Sequence, residues 1–264
     1  MRIRIDDPAD PRLDDIRRLN TERTDLVVAE GPLVVGRLLE STYPVRQVVG
    51  FPAKLDAVTI PEDVPAYEVS RETLAAVVGF DMHRGLVATA ARVPEPAPEA
   101  ILDGARTLAV LEGVGDHENI GAIFRNAAGM GVDGVLFGNG CADPLYRRSV
   151  RVSMGHVLRL PFAHLGGTFT TWQRRLEEVR AAGFRLVSMT PHPEAVHLAE
   201  ALAGAEKVAL LVGAEGPGLT EHAMRATDVR ARIPMAPGTD SLNVATSAAI
   251  AFYERQRQLL HHLT

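Results

Sequence analysis

The segment 111–131 holds the first residues whose types and spacing could carry chemistry. Its apolar periodicity predicts a helix that Asn119 caps, with one apolar face turned inward. Arg125 then points away from that face and stands between Gly121 and Gly129, so a ligand could approach it closely. An ordinary solvent-facing arginine on an amphipathic helix explains the same pattern equally well.

The segment 210–220 runs from an apolar strand into a loop with three glycines, which lets the backbone approach a ligand closely. Thr220 is expected to cap the helix that follows. The loop lacks the glycine spacing of a dinucleotide site and the lysine of a P-loop, and Glu215 would repel a phosphate. The pattern therefore predicts a ligand that is not recognised through phosphate, or else a simple tight turn.

The segment 233–254 places Ser241 and Asn243 at the start of a long predicted helix. Small side chains along this helix favour close packing against another backbone: Ala245, Ser247, Ala248, Ala249 and Ala251. A polar cap on a buried C-terminal helix accounts for the same residues.

In combination and order, these segments resemble the signature motifs of the SpoU/TrmH group of SPOUT RNA 2′-O-ribose methyltransferases. The motifs are Asn-Ile-Gly-Ala-Ile-Phe-Arg-Asn-Ala, then Gly-Ala-Glu-Gly-Pro-Gly-Leu, then Ile-Pro-Met followed by Ser-Leu-Asn-Val-Ala. The resemblance covers roughly residues 107–258. The stretches 28–32 and 83–88 are similar to the ribosomal-protein-like substrate domain of many members.

The resemblance implies an α/β fold whose C-terminal SPOUT-type parallel sheet carries a deep trefoil knot that binds S-adenosylmethionine. The implied cofactor contacts are Gly213, Glu215, Gly216, Ile233, Met235, Leu242 and Ala245. The implied catalytic residue is Arg125, supported by Asn119, Glu215, Ser241 and Asn243. Because a guanidinium is a poor base, we expect Arg125 to bind the target phosphate and steer the hydroxyl rather than accept its proton.

The elements that must position these residues divide at a proline-rich stretch. Three prolines in five positions predict an extended linker over 93–100, between an N-terminal RNA substrate-binding domain, 1–92, and a methyltransferase domain, 101–264. Strands expected before the linker are 47–51, 64–69 and 85–93, alternating with helices at about 10–20, 30–41 and 71–79. Strands expected after it are 107–111, 134–137, 184–188, 208–212 and 229–233. Such alternation predicts a small α/β unit followed by a mostly parallel sheet.

Composition excludes several classes of protein. The 264 residues are 46% hydrophobic and 23% charged, as in globular proteins, and no apolar run reaches the length of a membrane span. A net charge of −5 argues against non-specific coating of nucleic acid. With a single cysteine, no signal-peptide pattern and no metal-ligand spacing among His192, His197, His261 and His262, we expect a cytoplasmic protein without a metal. Cys141 is a nucleophile candidate without an obvious partner.

Four arginines between positions 147 and 159 could form an RNA-backbone patch, or simply a solvated surface. The RNA contacts predicted from this patch and from the segment 83–88 are Arg147, Arg148, Arg151 and Arg84. The expected partners are structured RNA, either rRNA or tRNA, and a second copy of the chain. Alternatives are an inactive RNA-binding protein of the same fold, a small-molecule methyltransferase, or an rRNA methyltransferase that confers antibiotic resistance.

Overall fold

The computed structural model of the protein describes residues 2–17, 19 and 25–261. The strands are β1 Arg2–Arg4, β2 Leu26–Glu30, β3 Val45–Gly50, β4 Ala66–Glu68, β5 Leu86–Ala91, β6 Thr107–Glu112, β7 Gly134–Phe137, β8 Phe162–His164, β9 Phe184–Met189, β10 Val196–His197, β11 Lys207–Gly213 and β12 Val229–Arg232. The α-helices are α1 Pro32–Leu39, α2 Pro52–Leu55, α3 Arg71–Val78, α4 Pro98–Leu102, α5 His117–Gly129, α6 Arg147–Val152, α7 Leu176–Ala181, α8 Leu198–Leu202, α9 Glu221–Arg225 and α10 Val244–His261. Short 3₁₀ turns cover Pro11–Ile16, His156–Leu158 and Trp172–Arg175.

The chain divides into two compact units that are not simple halves of the sequence. The first unit combines Met1–Pro94 with Pro144–Arg159, and the second combines Glu95–Asp143 with Leu160–Thr264. We expected positions 144–159 to belong to the C-terminal domain, 101–264. In the structure these residues belong to the first unit, because α6 packs against β2.

The sheet of the first unit has the strand order β1-β4-β3-β5-β2. Its first three strands are parallel to one another, whereas β5 runs antiparallel to both of its neighbours. Apolar side chains from the 3₁₀ turn, β2 and α3 form its core, among them Leu13, Ile16, Leu26, Leu74 and Val77. All five residues of β2 are buried, which leaves α6 an apolar surface to pack on.

The sheet of the second unit has the order β10-β12-β9-β11-β6-β7-β8, and every pair of neighbours is parallel. The predicted α/β fold with a parallel sheet is therefore confirmed. The central strands β6, β7 and β11 are nearly continuous buried apolar runs, as strands covered on both faces must be. Trp172 is fully buried in the core beside them.

Helix starts in the second unit follow local side-chain chemistry. The prediction that Asn119 caps α5 is wrong, because the helix begins three residues earlier, where the Asp116 carboxylate accepts the Glu118 N–H at 2.7 Å. Thr220 caps α9 as predicted, accepting the Ala223 N–H at 3.1 Å. Among the described helices, none combines the length and hydropathy that a membrane span requires.

Candidate active site

A cavity of about 880 Å³ opens in the second unit beyond the carboxyl ends of β9 and β11. Most of its wall comes from three segments: 189–193 after β9, 212–219 at the end of β11, and 233–244 between β12 and α10. Ligand sites of parallel α/β sheets lie at this edge, where the loops that follow the strands begin. The second and third of these segments contain two of the motifs singled out in the sequence.

The loop after β11 folds back tightly on its own strand. The Ala214 carbonyl accepts the Gly218 N–H at 3.0 Å, and Leu219 then passes directly over Gly213. A Cβ atom placed on Gly213 would lie only 2.2 Å from the Leu219 nitrogen. Glycine is therefore required here by the close approach of two backbone segments.

Asn243 joins all three motifs through one side chain. Its Oδ1 accepts the N–H groups of Ala245 and Thr246 at 2.9 and 3.1 Å, so Asn243 caps α10. Its Nδ2 donates to Asn119 Oδ1 at 2.9 Å and to the Glu215 carboxylate. Three of the predicted catalytic residues, one from each motif, are thus in direct hydrogen-bond contact.

Arg125 lies on the same helix as Asn119 and is exposed, as the sequence predicted. Its neighbour Asn126 donates to the Ala245 carbonyl at 3.1 Å and ties α5 to the first turn of α10. Asn119 and Asn126 are seven residues apart and so share one helix face, which is the face toward α10. Arg125 is therefore displayed from a helix whose position is fixed at two points.

Most of the predicted cofactor contacts surround the cavity. Its lining includes Gly213, Glu215, Gly216, Ile233, Met235 and Leu242, together with Ser241. Ala245 does not line it. Ala245 is buried, its N–H is taken by the Asn243 cap and its carbonyl by Asn126, and its contact with the cofactor stays a prediction.

Two parts of the site escaped the sequence analysis. The first is the wall Thr190–Pro193, whose Thr-Pro-His-Pro sequence directly follows β9, the position at which loops of such sheets contact ligands. Within it the Thr190 hydroxyl accepts the His192 N–H at 3.3 Å. The second is Glu112, a buried carboxyl group at the end of β6. The sequence offered one signal for this residue, a glutamate at the end of a strand that is otherwise mostly apolar.

The predicted RNA-binding arginines lie in the first unit and differ in exposure, and one of them, Arg84, donates to the Glu30 carbonyl at 3.4 Å. Arg147 donates to the Glu30 carboxylate and, at 2.7 Å, to the Leu19 carbonyl, and its guanidinium lies 4.7 Å from the centre of the Phe80 ring. Its charge is therefore paired inside the unit, and its contact with RNA stays a prediction. Arg84 and Arg148 are exposed, and Arg151 is half-buried.

Cys141 is not placed as a nucleophile. Its Sγ lies 3.4 Å from the Leu111 carbonyl, to which it donates, and burial raises the pKa of the thiol to about 11. Within the described part of the chain, no cluster of three or more His, Cys, Asp or Glu side chains could hold a metal ion. His262 lies outside the described residues.

Comparison with known proteins agrees with the motifs. The model of the SpoU rRNA Methylase family matches residues 106–253. An uncharacterized tRNA/rRNA methyltransferase of Mycobacterium tuberculosis is 53% identical over 97% of this chain and 92% of its own. The 23S rRNA (guanosine(2553)-2′-O)-methyltransferase RlmP of Bacillus subtilis is 26% identical over 94% of this chain and 97% of its own.

A solved structure matches over nearly the full length. The AdoMet-bound rRNA methyltransferase of Sinorhizobium meliloti superimposes with a TM-score of 0.79 and 26% identity, covering 98% of both chains. The family model spans more than half of this chain, and the mycobacterial relative shares over half of its residues. The chain therefore belongs to the SpoU rRNA Methylase family and is an RNA methyltransferase of that family.

Proposed function

We propose that this protein transfers a methyl group from S-adenosylmethionine to a ribose 2′-hydroxyl in structured RNA, either rRNA or tRNA. The observation that carries the proposal is the Asn243 junction, which brings Asn119, Glu215 and the start of α10 together beside a ligand-sized cavity. The 2′-O specificity of the Bacillus subtilis relative supports the choice of reaction.

The cavity fits S-adenosylmethionine in size and chemistry. Its volume of about 880 Å³ lies within the range of cofactor pockets. Apolar side chains, including Ile233, Met235 and Leu242, suit an adenine ring and the aliphatic part of the methionine chain. The glycines of the lining loop allow a ligand to approach the backbone closely. When bound, S-adenosylmethionine supplies an activated methyl group.

The protein's own contribution is to position the ribose hydroxyl for in-line attack. Arg125 is exposed on α5, and in the described part of the chain no hydrogen bond or ion pair occupies its guanidinium. It is therefore available to bind the phosphate beside the target ribose with a planar, two-pronged contact. Asn119 is hydrogen-bonded to Asn243, and Asn126 to Ala245. These bonds hold α5, the helix of Arg125, at a fixed distance from the loop 213–219, here called the cofactor loop.

The first unit is proposed to select the RNA. A site that reads one ribose and its phosphate carries little base information, so recognition of the target needs a further surface. Arg84 and Arg148 are the exposed cations of the predicted set that this unit offers. Arg151, which is half-buried, stands on the same helix as Arg148.

We further propose a homodimer that forms through α10. The small residues Ala245, Ala248 and Ala251 turn inward, while Ile250, Tyr253 and Leu260 are 36%, 56% and 59% exposed along the outer side of the helix. Their spacing of three and seven residues places these three on one face. A second copy of the same helix would bury that apolar face symmetrically.

The test is methyl transfer from isotopically labelled S-adenosylmethionine to total RNA from cells that lack the gene. Nucleoside mass spectrometry of the product is expected to find the label in one or a few 2′-O-methylnucleosides. Label in a methylated base would exclude the proposed reaction. RNA that binds but acquires no label would favour an inactive RNA-binding protein, and labelling of RNA-free small molecules would favour another substrate class.

A further inference from the structure

Glu112, the last residue of β6, carries a buried carboxyl group that the proposed mechanism does not use. It is 2% exposed and does not line the cavity. Its Oε1 accepts hydrogen bonds from Trp172 Nε1 at 2.8 Å, Gln173 Nε2 at 3.3 Å and the Thr220 hydroxyl at 3.0 Å. Its Oε2 accepts the Thr220 backbone N–H at 2.7 Å. Thr220 therefore contacts both oxygens, whereas Trp172 and Gln173 contact only Oε1.

The carboxyl group lies where the loop after β11 returns to the sheet. Glu112 is the register partner of Gly213, the residue at which this loop departs. The loop closes on itself through the Ala214–Gly218 bridge and passes over Gly213 at Leu219. Thr220, the next residue, is the first that Glu112 holds. The Ala214–Gly218 bridge sets the conformation of the loop, and Glu112 attaches the end of the loop to β6.

The same carboxyl group also sets the start of α9. The Thr220 hydroxyl donates to Glu112 and at the same time accepts the Ala223 N–H at 3.1 Å. Its rotamer is therefore fixed from both sides. Loop end and helix start are held by one buried side chain, and a shift of that side chain would move both.

We propose that Glu112 is a positioning residue for the cofactor loop, a role that rests on the proposed function. Every residue from Gly213 to Leu219 lines the cavity, so the position of the loop sets the shape of one cavity wall. Glu112 itself does not line the cavity. It acts on binding through Thr220, whose backbone N–H and hydroxyl it holds.

Replacing Glu112 with glutamine separates the loop contact from the others. The amide oxygen can keep the three donors that face Oε1, and its NH₂ group then meets the Thr220 N–H, donor against donor. The opposite amide orientation would set the NH₂ group against three donors. Glu112→Gln therefore breaks the loop's backbone bond while it preserves the volume of the side chain.

The matched control is Gln173→Met. This variant removes a donor to the same carboxyl group at a residue that is 6% exposed and does not line the cavity. It also removes the hydrogen bond from Gln173 to the Phe169 carbonyl at 2.8 Å. We expect both variants to lower the melting temperature, and only Glu112→Gln to weaken S-adenosylmethionine binding, by about tenfold in calorimetry. In steady state with total RNA as acceptor, its KM for S-adenosylmethionine should rise by a similar factor while kcat stays within about twofold.

Unchanged affinity in Glu112→Gln would overturn the inference, as would an equal loss of affinity in Gln173→Met. If Glu112→Gln does not fold, Thr220→Val takes its place, since it keeps the backbone bond and removes the hydroxyl contact. A weakening of about threefold is then expected, and none would count against the role. If the wild-type protein binds no S-adenosylmethionine, the proposed function itself fails, and this inference fails with it.

Discussion

At the residue scale, the orientation of the Asn243 amide follows from chemistry alone. The N–H groups of Ala245 and Thr246 can only donate, so the oxygen of the amide must face α10. The NH₂ group is then left for Asn119 and Glu215. One side chain thereby specifies the meeting of three segments that lie far apart in the sequence.

Arg125→Ala should abolish methylation without disturbing the fold. The residue is exposed, and its loss removes no described packing, so the melting temperature and S-adenosylmethionine affinity should stay close to wild type. Single-turnover methylation should fall by about a hundredfold or more. Arg125→Lys should recover only part of the rate, because lysine keeps the charge but not the planar fork. A near-normal rate in Arg125→Ala would remove this residue from the mechanism, and Arg174→Ala provides a control at another exposed arginine.

Cys141 should react slowly with alkylating reagents. The reactive species is the thiolate, and burial raises the pKa of this thiol to about 11. Near pH 8 the native protein should therefore be alkylated about a hundredfold more slowly than the same cysteine in denaturant, with a rate that climbs toward about pH 11. Mass spectrometry of iodoacetamide-treated protein measures both rates. Equal rates would contradict the burial of the thiol.

At the element scale, α10 is held in place at its first turn and again at Arg255. Asn243 caps its start, and Arg255 fixes it further along by donating to backbone carbonyls of Ala205 and Glu206 at 2.7 and 2.6 Å. Arg255 is 2% exposed, and burial lowers the pKa of its guanidinium. The helix that Asn243 caps is thus anchored by a buried guanidinium that donates hydrogen bonds to backbone carbonyls.

Arg255→Lys should destabilise the protein by about 2 kcal/mol, because the shorter point charge is itself buried and leaves the carbonyls of Ala205 and Glu206 without their donors. The comparison is Arg257→Lys on the same helix, an exposed residue paired with Glu254, for which we expect about 0.5 kcal/mol or less. Urea unfolding of both variants gives the two values. Similar losses would mean that Arg255 does not anchor the helix.

Gly213 and Gly216 should respond differently to alanine, although both belong to the same loop. At Gly213 the added Cβ meets the Leu219 backbone, so Gly213→Ala must displace the loop and should weaken S-adenosylmethionine binding by at least about tenfold. At Gly216 nothing lies within 4 Å of the added atom, and only its φ of 85° opposes the change, at a cost of about 1 kcal/mol in stability. Calorimetry measures the S-adenosylmethionine affinity of the two variants. Equal affinities would contradict the close approach of the Leu219 backbone to Gly213.

The sequence predicted five of the seven strands of the second sheet to within a residue of their ends, because buried parallel strands are continuous apolar runs. It missed β1, β8 and β10, which have only two or three residues and therefore no period to detect. It also missed the five-residue strand β2. The Thr190–Pro193 wall was also missed, since it joins the site through the topology of the sheet and not through a motif. The deep knot stays a prediction from the family resemblance.

At the scale of the whole molecule, the first unit is not a detachable N-terminal domain. Ser149 and Val150 of α6 are fully buried, and Arg147 is paired with the largely buried Glu30 of β2. A fragment that begins near position 99 would keep α6 and lose β2. Division of labour between the units is therefore better tested by point variants than by truncation.

The proposed dimer should dissociate when the outer face of α10 acquires charge. Tyr253→Arg combined with Ile250→Arg should shift sedimentation from twice 28.5 kDa to a single chain at micromolar concentration. Leu33→Arg, at an exposed leucine of α1, is the control and should leave the association unchanged. A wild-type protein that sediments as a monomer would refute the dimer.

The most direct test of the central claim is a transcriptome-wide map of 2′-O-methylation in wild-type cells, in cells without the gene, and in deletion cells carrying either the wild-type gene or Arg125→Ala. We expect one or a few ribose methylations in rRNA or tRNA to disappear on deletion. They should return with the wild-type gene and not with Arg125→Ala. Identical maps in wild-type and deletion cells, or full restoration by Arg125→Ala, would contradict the account.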